Sequence, residues 1–156
     1  MVGCDIHGWV EVKNKYCDWW DGVIRIDWLV GRSYTMFACL ANVRNYDNVK
    51  PISEPKGIPE DVSTNAKREI EKWGPNRHSH SWLTWKEIKE YDWNNNKYYE
   101  HRVIEFTKDG IKEVESKWKS MREAIPPDWK LLFDLMERLA KDYGDENVRL
   151  VFWFDN

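Results

Sequence analysis

The last stretch of this chain constrains its fold most, because a strand there would be apolar on both sides. Side chains of a strand alternate between two faces. In residues 148–154 one face carries only large apolar side chains, at Val148, Leu150, Phe152 and Phe154. The other face adds Val151 and Trp153 to Arg149. A strand that is covered on both faces belongs inside a sheet, so this segment is predicted to be a central strand.

The first strand of the chain is the predicted neighbour of this segment. Residues 5–13 alternate, with Ile6, Val10 and Val12 on the apolar face. Asp5 and His7 share the opposite face, since they lie two residues apart. Because the two terminal strands have complementary apolar faces, we expect them to pair in one sheet.

The other elements follow from periodicity, caps and turns. Helices are predicted over about 34–44, 64–72, 85–91, 116–123 and 127–142. Further strands are predicted over 23–30, 102–107 and 111–115, the last two joined by a turn at Asp109-Gly110. Irregular segments are predicted over 45–62, over the loop that holds His78 and His80, and over 94–100. The sequence therefore predicts one α+β domain over residues 1–156, with a small sheet containing the N- and C-terminal strands and helices packed on it.

The composition bounds the class of protein. The chain of 156 residues is long enough for a real core, and 42% apolar with 33% charged residues is typical of a globular domain. The net charge of -3 lacks the basic excess of proteins that hold nucleic acid by its phosphates. The glycine-rich loops of nucleoside triphosphate and dinucleotide sites are absent from the sequence.

The cysteines and the hydropathy indicate the compartment. The three cysteines form no C-x-x-C pair, and an odd count without a basic, apolar leader favours a reducing cytoplasm. No apolar run approaches the ~18–20 residues that span a membrane, so no membrane partner is expected. Cys4 and His7 lie three residues apart and so point to opposite faces of the strand. Cys4 is therefore predicted to be a small buried side chain rather than a nucleophile.

Imidazoles and carboxylates at strand ends predict a metal site. His7, His78 and His80 are the predicted ligands of a divalent metal, zinc or manganese, and Asp5 or Asp155 is a further ligand or the general base. This set requires the loop of His78 and His80 to fold over the end of the sheet. A metal with an open position would acidify a bound water and support hydrolysis.

Plainer interpretations stand beside this one. His7 would also suit a core position with its hydrogen bonds satisfied, and H-x-H occurs by accident in loops. The eleven tryptophans are either core residues or stacking platforms for bases and sugars. Isolated basic side chains near the irregular segments could bind a phosphate or carboxylate, although most such residues are surface charge: Arg32, Arg44, Lys50 and Arg77.

Several blocks of the chain resemble a family of small uncharacterised proteins of phages and prophages, which typically open M-G-C-D-I-H and end near F-W-F-D-N. The resembling blocks are residues 3–7, 32–45, 57–63, 78–84 and 148–156. The family often has Asp where this chain has Thr35 and Asn42. The resemblance implies a viral or mobile-element origin, hence the cytoplasm of a host cell, and it assigns no activity or residue role.

Two functions are therefore expected from the sequence. The first is a metal-dependent hydrolase that acts on a phosphodiester or nucleotide. The alternative is a non-enzymatic phage binding protein that sequesters a small ligand or blocks a host protein through exposed tryptophans and the 45–62 loop. Clustered His and Asp side chains in a cleft would favour catalysis, whereas a broad exposed aromatic patch would favour binding.

Overall fold

The computed structural model describes residues 2–100, 103–113 and 117–156. Its elements in chain order are β1 (Asp5–Lys13), β2 (Trp20–Arg25), α1 (Tyr34–Ala41), α2 (Thr64–Lys72), β3 (Arg77–Thr84), α3 (Trp85–Glu90), β4 (Lys97–Glu100), β5 (Val103–Thr107), β6 (Gly110–Glu113), β7 (Lys117–Ser120), α4 (Met121–Ala124), α5 (Pro127–Tyr143) and β8 (Val148–Asp155). The predicted first strand, last strand and long final helix are confirmed.

The main sheet is antiparallel, and its four strands run in the order β2-β1-β8-β3. β8 is central and pairs with β1, as predicted, with Asp5 opposite Asp155 and Val12 opposite Val148. Two further ribbons pair β4 with β7 and β5 with β6. The second of these confirms the predicted hairpin over 103–107 and 110–113, while positions 102, 114 and 115 lie outside the described residues.

The apolar face of the sheet packs against α1, α3 and α5. Pro127 opens α5 at a position where its missing N–H costs nothing, and the helix buries Trp129, Leu132 and Met136. Phe37 of α1 lies with its ring centroid 5.0 Å from that of Phe154. This packing of helices on the terminal strands confirms the α+β prediction, and the core contains Cys4 as expected.

The second face of the sheet is covered by α2 and the segment before it. Arg149 and Glu11 are both buried there, with Nε of the arginine 2.6 Å from the carboxylate. Asp61 accepts a further hydrogen bond from Arg149 at 2.9 Å, and the Trp20 ring lies 3.9 Å from the guanidinium. The two buried charges of this face, Arg149 of β8 and Glu11 of β1, are therefore paired with each other.

Two predicted boundaries near the N-terminus are wrong. β2 covers Trp20–Arg25 rather than 23–30, because the chain turns at residues 26–30, where the Val30 N–H donates to the Ile26 carbonyl. The helix predicted over 34–44 ends at Ala41, since Asn42 adopts a left-handed conformation with φ 57° and closes the helix.

Three polar segments form strands that the sequence did not predict. His78 and His80 lie in β3 rather than in a loop, because this edge strand pairs with β8 despite its polar residues. β4 occupies the second half of the segment predicted as a turn over 94–100. The helix predicted over 116–123 is replaced by β7 at Lys117–Ser120 and by α4, which begins where Glu123 accepts from the Ser120 amide at 3.1 Å. Position 116 lies outside the described residues.

Candidate active site

The candidate site lies at one end of the sheet, on the face opposite the apolar core. Asp5 pairs with Asp155 across β1 and β8, and His7 pairs with Trp153. Alternation therefore brings the predicted Asp5, His7 and Asp155 to one corner of one face, as their spacing indicated.

His7 lies between two carboxylates. Its Nδ1 is 2.8 Å from Oδ2 of Asp27, and its Nε2 is 3.2 Å from Oδ2 of Asp155. An ionised carboxylate can only accept hydrogen bonds, so Asp27 holds the hydrogen on Nδ1. The buried Nε2 makes no aligned hydrogen bond within the described part of the chain, although the Asp155 charge lies close to it. Nε2 is thus the ring nitrogen that is available for proton transfer.

The backbone positions Asp27 against His7. The Ile26 N–H donates to the Gly8 carbonyl at 3.0 Å, and Asp27 accepts in return from the Gly8 N–H at 3.3 Å. Gly8 leaves room for this arrangement, since a Cβ there would overlap the Val151 carbonyl oxygen. The carboxylate is therefore fixed by the end of β2 and by β1 together.

The two carboxylates shift the pKa values of the site. Burial alone would lower the pKa of His7, but the hydrogen bond with Asp27 and the charges of Asp27 and Asp155 outweigh it and raise that pKa. Burial alone would raise the pKa of Asp27, but the hydrogen bonds from His7 and Gly8 lower it. The protonated form of His7 is therefore favoured beside an ionised Asp27.

A cleft of about 470 Å³ opens beside His7. Two aromatic and two cationic side chains line it with Asp5, His7 and Asp27: Trp28, Trp73, Arg25 and Arg32. The Trp73 ring stacks on the imidazole with 4.0 Å between centroids. Asp5 holds Arg32 through two hydrogen bonds of 3.0 and 3.1 Å, which lower the pKa of Asp5.

The two other histidines occupy separate environments. The chain bulges between His78 and Ser81, and Ser79 takes φ 55°, so the two imidazoles leave β3 on different faces. His78 stacks over Phe154, and its ring nitrogens contact Ser79 and Asn156 at 2.9 and 3.2 Å. His80 stacks over Trp153, and its pKa is lowered by burial and by the charges of Arg77 and His78.

The structure thus brings together part of the predicted metal set. His7 and Asp155 are in contact, Asp5 lines the same cleft but pairs with Arg32, and His78 and His80 have the partners given above. Within the described ranges no group of three or more His, Cys, Asp and Glu side chains is arranged to hold a metal. The zinc or manganese site stays a prediction.

Several residues of the site were missed from the sequence. The sequence assigns no role to Asp27, does not separate Trp28 and Trp73 from the other tryptophans, and offers Arg32 as one of four basic candidates. Arg25 and Asp27 do alternate on one face of the predicted second strand, which is the signal that pointed to a shared surface. The spacing of residues in the sequence does not indicate that Arg25 and Asp27 lie beside His7.

Comparisons with models of protein families, with curated proteins and with solved structures found no match to this chain. Among the helices of the described residues, none has the length and apolar character needed to cross a membrane. The function is therefore argued from the site itself.

Proposed function

We propose that this protein is a hydrolase of phosphate esters, with a phosphodiester or nucleotide as substrate and His7 as its acid–base group. The observation that carries the proposal is the position of His7 between Asp27 and Asp155, beside a cleft lined by Arg25 and Arg32. Two titratable groups with pKa values shifted apart in one cleft are typical of acid–base catalysis.

The geometry supports a simple division of roles. Asp27 orients the ring through Nδ1, so that Nε2 carries the transferable proton. In hydrolysis a water attacks phosphorus, the bond to the leaving oxygen breaks, and protonated His7 gives its Nε2 proton to that oxygen. Asp155 lies next to Nε2 and would accept the proton of the attacking water. Asp5 would act through Arg32, a cation suited to phosphate oxygens.

The metal dependence expected from the sequence is part of the proposal. A divalent ion such as Zn²⁺ or Mn²⁺ would, when bound, supply an acidified water. Nε2 of neutral His7 and Oδ2 of Asp155 lie together and would hold such an ion. Nε2 would then carry no proton, so the acidified water would take over the chemistry that protonated His7 supplies in the metal-free site.

The test compares His7→Gln with the wild type on a panel of nucleotides and model phosphodiesters. Removal of an acid–base group should lower kcat by about 10²–10⁴-fold. Asp134→Asn, an exposed position on α5, is the control and should keep full activity. The assay is run with chelator and again with zinc or manganese, which measures the metal dependence directly.

Two results would overturn the hydrolase proposal. One is a wild-type protein that hydrolyses no member of the panel under either metal condition. The other is a His7→Gln variant that is as active as the wild type.

One feature favours the alternative, a non-enzymatic binding protein. Large aromatic side chains are exposed on and after the β1–β2 hairpin: Tyr16, Trp19 and Trp28. A protein that only sequesters a nucleotide would bind it at a measurable Kd and return it intact after prolonged incubation. Recovery of the bound nucleotide as a hydrolysis product would exclude this function.

A further inference from the structure

The aromatic side chain at the mouth of the cleft has an open face. Trp28 is 86% exposed, although it lines the same cleft as the half-buried His7. Its backbone belongs to the turn in which Leu29 and Val30 donate to the Ile26 carbonyl, so its position is fixed by main-chain hydrogen bonds. The Arg25 guanidinium lies 5.8 Å from the ring centroid. An exposed indole offers a flat apolar face on which a planar ligand can stack.

The second aromatic side chain of the cleft, Trp73, has one face covered by His7. Trp73 stacks on His7 at 4.0 Å between centroids and is only partly exposed. A planar ligand that enters the cleft therefore finds its free stacking surface on Trp28 rather than on Trp73.

The inner part of the cleft offers donors to an anion. Nε of Arg25 and Nε2 of His7 are both buried and make no hydrogen bond within residues 2–100, 103–113 and 117–156. Two guanidiniums reach the cleft, and each also contacts carboxylates: Arg25 lies 3.4 Å from both Asp27 and Glu69, and Arg32 lies 3.0 Å from Asp5. A phosphate is an acceptor that would satisfy such donors, and arginine binds it in two-point geometry.

We infer that the substrate of this site carries a nucleobase, which stacks on Trp28 while its phosphate meets Arg25, Arg32 and His7. This inference rests on the proposed phosphate-ester hydrolysis and narrows its substrate class to nucleotides. Base stacking tolerates every base, because each base has a π-face. The same chemistry occurs in free nucleotides and at the end of a single strand.

The experiment measures binding to the wild type by calorimetry with three slowly hydrolysed or base-free probes. They are adenosine 5′-O-thiomonophosphate, a tetradeoxyadenylate with phosphorothioate linkages, and ribose 5-phosphate. Trp28→Ala should weaken binding of the adenosine probe roughly 5- to 150-fold, and it should leave the affinity for ribose 5-phosphate unchanged. Trp28→Phe should retain most of the affinity, since it keeps an aromatic face. Trp118→Ala, at a side chain that is 52% exposed on β7 and lies outside the cleft lining, is the matched control and should bind like the wild type.

The outcomes separate this inference from the hydrolase proposal. Equal affinity for the adenosine and ribose probes, or a Trp28→Ala variant with wild-type affinity and wild-type kcat/KM on nucleotides, overturns the nucleobase inference even if esters are hydrolysed. Binding that depends on Trp28 without any hydrolysis supports the inference and rejects the catalytic role. Tighter binding of the tetranucleotide than of the mononucleotide would identify a strand as the source of the base.

Discussion

At the scale of single residues, His7 differs from an ordinary strand residue because each ring nitrogen faces a carboxylate. Asp27 lies 2.8 Å from Nδ1 and Asp155 lies 3.2 Å from Nε2. Burial favours the neutral ring, whereas Asp27 and Asp155 each favour the imidazolium. The raised pKa is therefore the balance of two attractions against desolvation, and it couples the charge of His7 to folding.

The loss of stability caused by His7→Gln is predicted to depend on pH. Because the pKa of His7 is raised above 6.5, its stabilisation is fully present below pH 6.5 and is lost as the pH rises through the higher folded value. The pKa of Asp27 is lowered, so the stabilisation that its ionised form supplies is fully present above pH 3.8 and does not change between the two pH values compared here. The substitution should therefore cost more free energy of unfolding at about pH 5.5 than at about pH 9. Urea denaturation at both pH values measures this, and an equal or larger cost at the higher pH would contradict it.

The residues of the site differ in how far they could be predicted. The shared face of Asp5 and His7 follows from alternation alone, and the structure confirms it. The contact of His7 with Asp27 depends on where β2 ends and on a bulge between Val10 and Glu11, which shifts the register of the hairpin. The periodicity of the sequence predicts neither the end of β2 nor the bulge, so Asp27 could not be assigned as the partner of His7.

At the scale of elements, β1 and β8 lie so close at Gly8 that the position admits no side chain. A Cβ there would overlap the Val151 carbonyl oxygen and lie 3.0 Å from the Cα of Phe152. Both contacts are with backbone, which cannot turn aside as a flexible side chain would. The approach matters to the site, because the Gly8 N–H also binds Asp27.

Gly8→Ala is accordingly predicted to destabilise the protein by about 1–3 kcal/mol or more, as overpacking does. Gly74→Ala is the control, since a Cβ there would meet nothing within 4 Å. It should be near neutral or slightly stabilising. The midpoints of urea unfolding compare the two variants. If Gly8→Ala were as stable as Gly74→Ala, β1 and β8 could move apart to admit a Cβ without loss of stability, and the prediction would be wrong.

The elements that the sequence predicted well share one property, which is strong apolar periodicity. β8 and α5 bury large side chains in a regular pattern, so periodicity located both. β3 is polar along its first half, and the bulge at Ser79 interrupts its alternation. Its strand conformation is imposed by pairing with β8, and local sequence does not contain that information.

At the scale of the whole molecule, a buried ion pair connects the terminal strands with the 45–62 loop. Arg149 of β8 binds Glu11 of β1 at 2.6 Å and Asp61 of the loop at 2.9 Å. Glu11 also accepts from the Ser63 amide, the N-cap residue of α2. Loss of Glu11 or of Arg149 would therefore leave the other buried charge without its nearest partner.

Glu11→Leu or Arg149→Met alone should destabilise the protein by about 3–5 kcal/mol, because each removes the buried partner of the other charge. The double substitution should cost clearly less than the sum of the two. A double-mutant cycle on free energies of unfolding measures the coupling. Additive losses would show that the pair contributes no specific interaction. Lys130→Gln, from an exposed pair on α5, is the control and should change stability by less than about 1 kcal/mol.

The pairing of β1 with β8 also determines when this protein can fold. The centre of its sheet joins residues from opposite ends of the chain, with Asp5 facing Asp155. Closing so long a loop costs entropy before the contacts repay it, and topologies rich in such distant contacts fold slowly. On the ribosome β1 has no partner on that edge until β8 emerges. Until then, its unpaired edge remains exposed to association with other chains and to chaperones.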